Sequence, residues 1–76
     1  MPTYRLTDRQ GSERTLQATR VVTDDAEVRF ETTLDGRWRP VFSLPANDVD
    51  SLMRRVNEVA GWRWIRARIE PVPARP

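Results

Sequence analysis

The segment AEVRFETT, residues 26–33, constrains this chain more than any other stretch. Ala26, Val28, Phe30 and Thr32 point one way, and Arg29, Glu31 and Thr33 the other. That period of two belongs to a strand with one apolar face, and a strand needs neighbours. Residues 3–8 alternate in the same manner, with Tyr4 and Leu6 on one side and Arg5 and Thr7 on the other. Arg9-Gln10-Gly11-Ser12 supplies a turn, and residues 14–23 read as a second strand with Leu16 and Ala18 on its apolar face. Val21 and Val22 are consecutive, which predicts a bulge near Arg20. Asp24-Asp25 marks the next turn.

Asp35-Gly36 carries the chemistry of a two-residue hairpin loop. A loop of only those two residues sets Phe30 opposite Val41 and Arg29 opposite Phe42. Residues directly opposite share a face, so this register places apolar beside polar. A three-residue loop, Leu34-Asp35-Gly36 with Gly36 left-handed, predicts Thr32 opposite Trp38, Val28 opposite Phe42 and Glu31 opposite Arg39.

After Leu44-Pro45 the apolar residues change spacing. Val49, Leu52, Met53, Val56, Val59 and Ala60 fall on one helical stripe. Asn47 suits an N-cap, Asp48 and Asp50 suit the first turn, and Gly61 suits a left-handed stop. Residues 62–70 then read as a strand, with Arg63, Ile65, Ala67 and Ile69 on one side and Trp62, Trp64, Arg66 and Arg68 on the other. Pro71-Val72-Pro73 cannot continue a central strand.

These elements predict an α+β fold. A small antiparallel sheet of four strands is followed by one amphipathic helix over residues 47–60 and a fifth, C-terminal strand. The alternative is a small β-barrel capped by that helix. Residues 1–70 form a single compact domain in this reading, and residues 71–76 a Pro-rich flexible tail.

The chain has 76 residues, and such a length buries only about 60% of the unfolded surface, so dimerisation is a natural remedy. There is no Cys and no His. Thiolate nucleophiles, sulfur zinc sites, imidazole ligands and a neutral-pH proton shuttle are therefore excluded. The 13 basic residues are all Arg, set against 11 carboxylates. A GC-rich bacterial or phage genome explains Arg without Lys most simply. The high isoelectric point reflects a surplus of two charges that do not titrate, rather than a polybasic chain. Residues 1–60 hold 9 Arg and 10 acids, a net of −1; residues 61–76 hold 4 Arg and one acid, a net of +3.

No enzyme is expected. The hydroxyls of Ser12, Ser43 and Ser51 have no His or Lys to activate them. Asp24-Asp25 is turn composition, Asp48 with Asp50 is helix-start composition, and no phosphate loop is present. No cofactor and no metal is expected. The function anticipated is a non-enzymatic protein-interaction module that binds a partner protein or a second copy of itself. Arg29, Arg37, Trp38, Arg39 and Val41 are the candidate partner-binding residues, because Arg and Trp are favoured at interfaces. The alternative is a weak, sequence-tolerant nucleic-acid binder using Trp62, Arg63, Trp64, Arg66 and Arg68. Aromatics interleaved with Arg stack bases and neutralise phosphates. Pro73 to Pro76 has PxxP spacing. No apolar run is long enough to span a membrane, and MPTYRLTD has no apolar signal core, so a cytoplasmic location is expected.

Overall fold

A computed structural model describes residues 2–71. The strands are β1 (Thr3–Asp8), β2 (Glu13–Gln17), β3 (Arg20–Thr23), β4 (Glu27–Leu34), β5 (Arg37–Pro45), β6 (Val49–Glu58), β7 (Gly61–Arg66) and β8 (Glu70–Pro71). They form two open four-stranded sheets, ordered β2-β1-β6-β7 and β5-β4-β3-β8. All pairings are antiparallel except β3 with β8. The fold is therefore nearly all β. It is neither the predicted α+β arrangement nor a closed barrel.

The helix expected over residues 47–60 is absent. A single 3₁₀ turn, Ala46–Asp48, leads into the ten-residue strand β6. Asn47 does not cap it: the residue preceding the turn is Pro45, and no side-chain cap bond forms. The physical reason lies outside the segment. Without β6, the β1–β2 pair would be an isolated two-stranded hairpin, which is marginal in water. β6 completes that sheet by setting Leu52 opposite Leu6 and Met53 opposite Arg5. Long-range pairing thus outweighs a helical spacing of apolar residues. Gly61 does adopt positive φ (138°), next to the Val59–Ala60 turn of the β6–β7 hairpin rather than at a helix end.

The predicted strand over residues 14–23 is two strands in two sheets. The switch occurs between adjacent residues: the Ala18 N–H donates to Pro2 C=O (3.2 Å), and the Thr19 N–H donates to Glu31 C=O (2.8 Å). Ala18 is fully buried at this crossing. Its small side chain lets the chain pass from one layer to the other. The predicted strand over residues 62–70 divides likewise. The Ala67 N–H still donates to Leu52 C=O, and the chain then joins the second sheet at Glu70, opposite Val22. Pro71 sits on an edge strand, where its missing N–H is tolerated. The tail expected at residues 71–76, with its PxxP spacing, lies outside the described residues beyond Pro71.

The β4–β5 hairpin resolves its parity in an unexpected place. The loop has two residues, Asp35 (φ 54°) and Gly36 (φ 75°), with Leu34 opposite Arg37, Thr33 opposite Trp38 and Thr32 opposite Arg39. A register shift then makes Val41 the extra residue, so that Phe30 faces Phe42 and Val28 faces Leu44. The bulge sits in the strand instead of the loop. The expected pairs Thr32–Trp38, Val28–Phe42 and Glu31–Arg39 do not form.

Between the sheets Tyr4, Leu6 and Leu52 meet Val21, Val28 and Phe30, with Ala18 at the crossing. The Phe30 ring lies 5.8 Å from Tyr4, edge-on, and 6.1 Å from Phe42. Such edge contacts add to the burial of the rings. The core residues of β1 and β4 are those that alternation selects.

Candidate functional site

The core faces inward, so the two outer faces are what the fold offers to partners. They differ in how their arginines are neutralised.

On the outer face of the second sheet, β3 and β4 bring Arg20, Arg29, Glu27 and Glu31 together. Asp24 anchors the turn before β4: its Oδ1 accepts from the N–H groups of Ala26 (2.8 Å) and Glu27 (2.9 Å). Its Oδ2 accepts from Arg29 Nη1 at 2.6 Å. The same nitrogen reaches Glu27 (3.3 Å), and Arg29 Nε lies 3.5 Å from Glu31. The two backbone N–H groups, and after them Arg29, hold the Asp24 carboxyl below its usual value. Hydrogen bonds to Asp24 and then Glu27 push the Arg29 guanidinium up. Glu31 is buried to 7% exposure and accepts from Arg20 Nε (2.9 Å) and Nη2 (2.8 Å) on one oxygen. The Arg20 guanidinium lies 3.6 Å from the Trp38 ring centroid. Val22 shares this face with Arg29, yet is nearly inaccessible.

The predicted partner-binding set is divided by the hairpin register. Arg29 and Trp38 lie on this outer face, Trp38 beside Thr33. Arg37 and Arg39 face the opposite way with Leu34 and Thr32, and Val41 occupies the bulge. Arg29 is engaged by three carboxylates. Leu34, Trp38 and Val41 are exposed, but on different aspects of the hairpin.

The outer face of the first sheet is different. Cross-strand register aligns Thr15, Arg5, Met53 and Arg66 in one row. The next rows set Arg55 opposite Trp64 and Asn57 opposite Trp62. Arg5 lies 4.6 Å from the Trp64 ring centroid, Arg55 lies 5.4 Å from that of Trp62, and the two indoles meet edge-on at 5.9 Å. Trp62 remains 57% exposed. Among the described residues, none of Arg5, Arg55 and Arg66 has a carboxylate partner. The acid that register brings to this face is Glu13, on the far edge strand opposite Thr7.

Alternation in the C-terminal segment thus places Trp62, Trp64 and Arg66 together as expected. Arg63 points to the other side, opposite Val56, and is ion-paired with Glu58. Arg68 lies beyond the end of β7. It lines a cleft of about 370 Å³ with Arg20, Arg54, Tyr4 and Thr19. A neighbouring cleft of about 300 Å³ shares Arg54 and adds Arg55 and Asn57. Among the described residues, neither cleft is lined by a carboxylate. A third, about 210 Å³, is mixed in sign, with Asp8, Glu13 and Asp48 beside Arg9 and Arg14. Arg14 stacks 4.5 Å from the Phe42 ring there.

Arg5 and Arg55 are the members of the Trp/Arg face that the sequence reading does not assemble. Alternation puts Arg5 on an outward face but cannot say of which sheet. Arg55 becomes visible only when Ser51, Met53, Arg55 and Asn57 are read at period two instead of helically. Among the described residues, no group of three or more acidic side chains is positioned to hold a metal ion. No described helix is long and apolar enough to cross a membrane. No family model, curated protein or solved structure matches this chain.

Proposed function

We propose that this chain is a non-enzymatic, cytoplasmic binding module that docks a partner protein through the outer face of its first sheet. The observation that carries the reading is the contrast between the two outer faces. Arg20 and Arg29 spend their hydrogen-bonding capacity on Asp24, Glu27 and Glu31. Arg5, Arg55 and Arg66 have no carboxylate partner among the described residues and share a face with the exposed Trp62 and the half-buried Trp64. Arg and Trp are the side chains most enriched at binding hot spots, and stacking pre-organises the guanidinium planes for an acidic or aromatic partner. Partner binding therefore moves from the β4–β5 hairpin to Arg5, Met53, Arg55, Trp62, Trp64 and Arg66.

The acid-free clefts around Arg54 favour a second reading, single-stranded nucleic acid. Arg54, Arg55 and Arg68 would follow a phosphate backbone while Trp62 and Trp64 stack bases. Affinity capture from a host-like lysate, run with and without nuclease, separates the two. A stoichiometric protein that survives nuclease supports the first reading. Loss of all captured material under nuclease, with an association that falls steeply with salt, replaces it by the second.

A further inference from the structure

We infer that two copies of this chain pair through the free edge of β7 in one defined antiparallel register; this deepens the protein-binding reading and rests on it. Among the described residues, the two sheets leave four edge strands: β2, β7, β5 and β8. β5 is interrupted by Pro40, Pro45 and the bulge at Val41. β8 has two residues, one of them Pro71. β2 is free of proline but presents no large exposed hydrophobic residue. β7, GWRWIR, has six residues, no proline and the exposed Trp62. An edge with those properties is open to strand addition.

The hairpin decides which backbone groups are available. Val59–Ala60 is a two-residue loop, so Glu58 and Gly61 form the closing hydrogen-bonded pair. Hydrogen-bonded and non-hydrogen-bonded pairs then alternate. Gly61, Arg63 and Ile65 bond to β6, and the N–H and C=O groups of Trp62, Trp64 and Arg66 point out of the sheet edge.

A two-fold axis perpendicular to the sheet keeps the outer face of each copy continuous, and only same-face residues then come opposite. Setting Trp64 opposite its own copy places Trp62 opposite Arg66 and Arg63 opposite Ile65. Every outward backbone group of these strands finds a partner, and no Arg faces Arg. The register one step away on one side sets Arg63 against its own copy, a like-charge pair that is destabilising. The step on the other side leaves Trp62 unpaired. In the favoured register the Arg5–Trp64 and Arg55–Trp62 stacks of both copies join into one face, which doubles the surface proposed for the partner.

The chain has no cysteine, so the register can be read by cross-linking. Arg63→Cys and Ile65→Cys proteins are mixed and oxidised, and each is also oxidised alone. Opposite residues at a non-hydrogen-bonded pair lie about 4.5 Å apart at Cα, within disulfide reach. The same residue in the two copies is a diagonal neighbour at about 7–8 Å, beyond it. The expected result is a disulfide heterodimer from the mixture, at least tenfold faster than either self-link. Sedimentation equilibrium of the unmodified chain should also show a mass that doubles with concentration. A single-chain mass across that range, or equal linking in all three reactions, overturns the proposal. A monomeric chain that still captures a foreign protein through Arg5 and Arg55 sinks the dimer and leaves the binding reading standing.

Discussion

Replacing Glu31 with Gln tests how the second sheet's outer face is held. The substitution keeps the shape of the side chain and removes its charge. Glu31 is almost wholly buried, and one of its oxygens accepts from both Arg20 Nε and Nη2, at 2.9 and 2.8 Å. Charge-assisted hydrogen bonds contribute about 1.5–3 kcal/mol, whereas exposed ion pairs contribute about 0.2–1 kcal/mol. The Arg20 side chain is 29% exposed, so the pair lies between these limits. A loss of about 2 kcal/mol is expected. Arg29 keeps Asp24 and Glu27, which confines the damage to Arg20 and the Trp38 ring beneath it. In a domain of this size such a loss lowers the melting temperature by about 10 °C. Thermal and urea unfolding at pH 7, followed by circular dichroism, measure it. Trp38→Ala as the second arm of a double-mutant cycle reports the coupling through Arg20. A loss under about 0.5 kcal/mol would mean that Glu31 behaves as an ordinary surface carboxylate and does not hold Arg20 in place.

Phe30→Ala removes the ring on which Tyr4 and Phe42 both pack; a loss of about 3–5 kcal/mol should abolish the cooperative urea transition of so thin a core. Gly36→Ala meets no atom within 4 Å, so the left-handed backbone alone should cost about 1–2 kcal/mol in chemical denaturation. Asp24 has its folded pKa lowered, so it contributes stability above its ordinary value near 3.8, and that contribution is lost as pH falls through the folded value. Asp24→Asn should therefore flatten the fall in stability below about pH 4, measured as melting temperature against pH.

The parts of this fold that are legible in the sequence are those decided by local alternation. Tyr4, Leu6, Val28 and Phe30 are buried because each strand has one apolar face. Trp62, Trp64 and Arg66 share a face for the same reason. The parts that are not legible depend on distant partners. Val49, Leu52, Met53, Val56, Val59 and Ala60 satisfy helical spacing, and only the unpaired side of β1 makes Val49–Glu58 a strand. Nothing local marks Ala18–Thr19 as the point where the chain changes sheets; the hydrogen bonds that make it so come from Pro2 and Glu31. The parity conflict at Asp35-Gly36 is visible in the sequence, but either a longer loop or a strand bulge removes it. The bulge at Val41 keeps the two-residue turn that Asp-Gly favours and moves Trp38 outward, beneath Arg20. The Trp/Arg face is half visible: β7 alone shows its aromatics, while Arg5 and Arg55 join it through pairing.

Which sheet carries the binding face is decided by comparing capture by the unmodified chain with capture by two charge-matched double variants. Arg5→Ser with Arg55→Ser strips the stacked guanidiniums from the first sheet. Arg37→Ser with Arg39→Ser removes the same charge from the β4–β5 hairpin. Hot-spot arginines contribute about 2 kcal/mol or more each, so the first variant should lose at least tenfold in affinity for the captured protein. The second should bind like the unmodified chain. Equal retention of the partner by the first variant, or its loss only in the second, would contradict the assignment of the binding face to the first sheet.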